Sequence, residues 1–81
     1  MNVGMLWFDN EKIPLTVKVE RAAEYYRRKY GLTPDLCLVH PSMLQGTQAE
    51  VIQSRLGQVT VRPYRSILPG HLWIGVEEQN R

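Results

Sequence analysis

Asp9, His40 and His71 are side chains of the types that hold a divalent cation. One carboxylate and two imidazoles leave coordination positions open, and a metal held that way activates water for hydrolysis. None of the three has the short sequence spacing of a metal-ligand motif. Each also has a plainer account. Asp9-Asn10 is turn chemistry, His40 precedes Pro41 in a loop, and His71 flanks a turn glycine. A second constellation is Arg62-Pro63-Tyr64-Arg65. Guanidinium forks bind phosphate bidentately and a tyrosine stacks on a base, so Arg62, Tyr64 and Arg65 suit single-stranded nucleic acid or a phosphorylated ligand, with Asp9 and Asn10 as neighbours. The competing account is a solvated loop in which an arginine pairs with Asp9. A third is the run from Tyr25 to Tyr30, where Arg27, Arg28 and Lys29 are interleaved with tyrosines as on a nucleic-acid-binding face. There, however, Tyr26 and Tyr30 fall on an apolar helical stripe, and the bases suit a helix C-terminus and Glu77 and Glu78 nearby.

Other chemistry is excluded by inventory. The single cysteine, Cys37, forms no intrachain disulfide and points to a reducing compartment or to a fold that needs no staple, and a cytoplasmic setting is the default expectation. One Cys and two His do not make a zinc finger. The Gly70 to Gly75 spacing is followed by Val76 rather than Lys, so it is no P-loop. Pro34-Asp35 lacks the later lysine of a Pro-Asp…(Asp/Glu)-x-Lys nuclease pattern, since the last lysine is Lys29. Ser42 has no evident base, and no cofactor is expected. Ten Lys and Arg against eight Asp and Glu give a net charge of +2, far from the strongly basic balance of dedicated nucleic-acid binders. No apolar run approaches a membrane span.

The elements that must position these groups follow from periodicity. Residues 3–8 are apolar on both faces, as in a central strand. Residues 14–30 place Leu15, Val19, Ala22, Ala23, Tyr26 and Tyr30 on one helical face, with Pro14 in the first turn and Gly31 just past the end; Glu24 and Arg28 are an i, i+4 pair. Residues 36–40 read as a second two-sided strand, parallel to the first through a βαβ crossover. Thr47 and Glu50 form a capping box, which predicts a second helix with Ala49, Ile52 and Leu56 on its apolar face and Gly57 at its end. Residues 58–62 alternate as a strand, Leu68-Pro69-Gly70-His71 fits a type II turn, and 72–77 return as a last strand.

The expected fold is therefore α/β, a single domain over residues 1–81 in the order β-α-β-α-β-β. Its sheet is mostly parallel with a C-terminal antiparallel hairpin. Strand order 2-1-3-4 is favoured over 1-2-3-4, because it buries the first strand twice and leaves the last at an edge. In the rival order, both helices share one face and Trp7 or Phe8, with Trp73, stays open unless a partner covers it. Two short helices cover such an aromatic-rich sheet poorly, and the strand 72–76 has no lysine or proline to discourage pairing. The functional expectation is a small non-enzymatic binding or assembly module that dimerises through Leu72, Trp73, Ile74 and Val76, across that edge or across the Trp73 face, with nucleic acid as outside partner. The alternative is a metal-dependent phosphoester hydrolase using Asp9, His40 and His71.

Overall fold

Five strands and one α-helix make up the computed structural model, which describes residues 3–44 and 50–77. Strand β1 is Val3–Phe8 and helix α1 is Leu15–Tyr30. Strand β2 is Leu36–Val39, followed by a 3-10 turn at Pro41–Met43. Then come β3 (Glu50–Ser54), β4 (Gly57–Pro63) and β5 (His71–Val76). The helix matches its sequence signals. Pro14 is its N-cap, and Gly31 ends it at φ 73°, a left-handed conformation open to glycine without strain, donating its N–H to the Arg27 carbonyl.

The strands form one mixed sheet in the order β1-β5-β2-β4-β3. Only β2 and β4 run parallel; β1–β5, β5–β2 and β4–β3 are antiparallel. This corrects the expected fold in three places. First, the helix expected at Thr47–Leu56 is replaced, from Glu50 onward, by the first arm of a hairpin; Thr47 and Ala49 lie outside the described residues. Val51 and Ile52 are β-branched, and so short a helix is marginal alone, so pairing with β4 wins. The hairpin turn is closed by Ser54, whose Oγ donates to the Gly57 carbonyl and accepts from Leu56 N at 2.7 and 3.1 Å.

Second, β5 is inserted between β1 and β2, so the sheet is not mostly parallel and the order is not 2-1-3-4. The strand expected at the edge is interior, and pairing across a free edge at Leu72–Val76 is ruled out. Third, β1, expected at the centre, is an edge strand.

Directly paired residues share a face of the sheet. Met5, Ile74, Cys37 and Val61 lie across from one another on one face, as do Trp7, Leu72 and Val39. This is the face α1 covers. Val19, Ala22, Ala23 and Tyr26 of the helix are fully buried in one cluster with Cys37, Val39, Val59, Val61, Leu72 and Ile74. Tyr30, expected in that stripe, is instead exposed at the helix end. Glu24 does not serve Arg28; it pairs with Arg55 of the hairpin turn at 2.8 Å, and Glu20 accepts the Arg55 backbone N–H at 2.9 Å. No helix among the described residues is long and apolar enough to cross a membrane.

Candidate functional site, the open face of the sheet

Among the described residues, no helix lies against the second face of the sheet. Its rows follow from the register. Leu6, Trp73, Leu38 and Arg62 lie side by side across β1, β5, β2 and β4; the neighbouring rows are Phe8 with His71, and Gly4, Gly75, Leu36, Thr60 and Val51. Leu6 and Phe8 are each 59 % exposed, and Val51 is exposed as well. Trp73 and Leu38 are half-buried.

Trp73 is the centre of this surface. A Cβ on Gly4 would run into Cζ2 and Cε2 of its indole and come within 2.7 Å of the Ile74 carbonyl oxygen. The ring therefore lies down over β1, in space that only glycine leaves. Beside it, the Phe8 and His71 rings are tilted against each other at 4.8 Å. His71 Nδ1 is buried there without a hydrogen-bond partner among the described residues.

At the other side of the face Arg62 reaches Glu77, with Nη1 and Nη2 at 3.2 and 3.5 Å from its two carboxylate oxygens. Glu77 is held in turn by its own N–H, which donates to Asp35 Oδ1 at 2.9 Å. Because β2 lies between β4 and β5, this ion pair spans β2. Leu36, in the row beneath, is only 2 % exposed despite facing away from the helix. The open face is thus an apolar strip of Leu6, Phe8, Trp73 and Leu38 with a polar strap along one margin.

The sequence-derived candidates gather at one end of the sheet but do not form a metal site. Asp9 N donates to the Gly70 carbonyl and Tyr64 N to the Val39 carbonyl, so the ends of β1, β5, β2 and β4 are neighbours. Among the described residues no three His, Cys, Asp or Glu side chains are placed to hold a metal ion. Asp9 Oδ1 is taken by Glu11 N at 3.1 Å, and His40 Nδ1 by the Ser42 N–H and hydroxyl at 3.1 and 2.8 Å. Asp9 does gain an arginine, but it is Arg21 of α1, at 3.7 Å, not Arg62 or Arg65. Arg62 belongs to the open face, whereas Tyr64, Arg65 and Asn10 are exposed in the end loops. The four residues expected at the interface divide by face. Leu72, Ile74 and Val76 point toward α1, and Leu72 and Ile74 are fully buried in the core; Trp73 alone belongs to the open face.

Cys37 is core. Burial pushes its thiol up to about 12, which leaves no thiolate near neutral pH. Lys18 was missed by the sequence reading. It sits on the buried stripe between Leu15 and Ala22 and donates from Nζ to the Asp9 carbonyl at 2.9 Å, tying the end of β1 to the helix. A lysine at an apolar position of the helical period is the signal that marked it. Leu6 was not expected at the surface, and Phe8 only in the disfavoured strand order, because their strand has the composition of a buried one. Compared with protein-family models, curated proteins and solved structures, the chain matches none.

Proposed function

We propose that the protein is a small assembly module that pairs with a second copy of itself across the open face of its sheet. The observation that carries this reading is β1, a strand with apolar residues on both faces that stands at the edge, with Leu6 and Phe8 each 59 % exposed beside Trp73. A strand needs that composition only when both faces are covered. Two sheets meeting face to face interdigitate their side chains at about 10 Å, and a two-fold axis lets one apolar strip serve both copies. Burying what remains of Leu6 and Phe8 in both copies yields about 4–6 kcal/mol, comparable to the lower bound of the association cost. Trp73, Leu38 and Val51 add apolar area to the same patch, so a weak dimer that assembles toward high micromolar concentration is expected.

Sedimentation velocity across a concentration series tests this. The wild-type chain should move from 9.4 kDa toward twice that mass as concentration rises through the micromolar range. The double variant Leu6→Glu, Phe8→Glu should stay at the lower mass while keeping its circular dichroism spectrum. A wild-type monomer at high micromolar concentration overturns the proposal.

A further inference from the structure

The charges of the molecule are unevenly answered. Arg21, Arg55 and Arg62 are each paired with a carboxylate. Among the described residues, neither Arg27 nor Arg28 is, and both stand in the last turn of α1 with Lys29. Of the two acids expected to offset them, Glu77 is bound to Arg62 instead, and Glu78 lies outside the described residues. The nearest acids on the helix, Glu20 and Glu24, are bound to Arg55. Three cations are thus concentrated on one turn of a chain whose whole net charge is +2. The negative end of a helix dipole offsets about half a charge, too little to answer three.

These cations border a shape. A concavity of about 600 Å³ lies between the helix end and the hairpin turn, lined by Glu24, Arg27, Arg28, Gly31, Arg55 and Leu56. On the other side of Arg28 is a smaller hollow with Tyr25 and Lys29. Tyr25 and Tyr30 are 42 % and 44 % exposed, and the Lys29 ammonium lies 6.0 and 5.5 Å from their ring centroids. Unpaired guanidiniums next to half-exposed aromatic rings are the two components of a single-strand binding surface: the first meets phosphates, the second stacks on bases.

We propose that this corner, with Arg27, Arg28 and Lys29 as phosphate contacts and Tyr25 and Tyr30 as stacking platforms, binds single-stranded nucleic acid. It is a different site from the Arg62-Tyr64-Arg65 loop, where Arg62 is already neutralised. It also lies on the helix side of the sheet, so dimerisation across the open face leaves it accessible and the two proposals stand or fall separately. A patch of three cations covers a few nucleotides and binds weakly, with an expected salt slope of about −2 in log K against log salt for single strands. That slope corresponds to roughly a 15-fold loss of affinity between 50 and 200 mM salt.

Fluorescence anisotropy with a labelled oligothymidylate of about 12 nucleotides reads this directly. Arg27→Ala with Arg28→Ala should weaken binding by about tenfold or more and flatten the salt slope to about −0.7. Tyr25→Leu with Tyr30→Leu should weaken it by at least about fivefold while leaving competition by inorganic polyphosphate unchanged. Arg62→Ala with Arg65→Ala should bind as wild type. All six positions are on the surface, and an unchanged circular dichroism spectrum confirms the fold of each variant. Wild-type affinity in the arginine double variant overturns the site. Indifference to the tyrosine changes overturns the nucleic acid in favour of a general polyanion surface.

Discussion

Gly4 and Cys37 show how much a single position is asked to do. Gly4 has no side chain because the Trp73 indole occupies that space. Gly4→Ala must lift the ring or push β1 away from the Ile74 carbonyl, and overpacking of this kind costs about 1–3 kcal/mol. The variant should show a lower urea midpoint and a red-shifted tryptophan emission; an unchanged midpoint would mean that the indole has another resting place. For Cys37 the sign follows from burial. The unfolded thiol ionises near 9.0, whereas the folded one keeps its proton to about 12. Above pH 9 the unfolded state binds fewer protons, so the contribution is constant below that point and is lost as pH rises toward 12. The stability advantage of wild type over Cys37→Ala should therefore shrink by on the order of 1–2 kcal/mol between about pH 8 and pH 10.5. Urea midpoints for the pair at both values measure it; a pH-independent difference contradicts it.

The β3–β4 hairpin is the element where local and non-local preferences part. Its first arm carries the tail of a helical signal, yet its residues are spent pairing with β4 and anchoring the turn to α1 through Arg55. Arg55 is highly exposed, so its ion pairs with Glu20 and Glu24 contribute only about 0.2–1 kcal/mol each. The turn depends more on Ser54, which satisfies two backbone groups at once. Ser54→Ala should lower stability by about 1–2 kcal/mol, and hydrogen exchange at the β3 amides should accelerate before that of β5. If the two strands exchange alike in the variant, the hairpin is not an independently opening unit. Helix α1 shows no such conflict: its stripe through Tyr26 and its terminal glycine agree with one another, and Tyr30 alone leaves the expected stripe.

At the scale of the whole molecule, a single helix among the described residues covers one side of a five-stranded sheet. That imbalance produces both surfaces on which function is proposed, an apolar face on the uncovered side and a basic corner where the helix ends. If the open face is a dimer interface, folding and association are linked, and the melting temperature should rise with protein concentration for wild type but not for Leu6→Glu, Phe8→Glu. Differential scanning fluorimetry from about 5 to 500 μM distinguishes the cases; a concentration-independent wild-type melting temperature counts against the interface.

Helix α1, the strands at 3–8, 36–39, 57–63 and 71–76, and the turn closed by His71 N on the Leu68 carbonyl were legible in the sequence. Their signals are local: a period, a cap, a glycine past a helix end, a proline in a turn. The basic run at the end of α1 and the apolar character of β1 were equally plain as composition. The position of β5 between β1 and β2 was not, because interior strands of a mixed sheet look alike in sequence whichever neighbour they take. Nor was the fate of residues 50–56, where the pairing partner lies outside the segment itself. Strand order then decided everything about the sites. It put Leu72 and Ile74 in the core, left Leu6, Phe8 and Trp73 on the face away from α1, gave Glu77 to Arg62, and so left Arg27 and Arg28 without an acid among the described residues. Side-chain chemistry is written along the chain, but which groups meet, and which are left unanswered, is a property of the packed sheet.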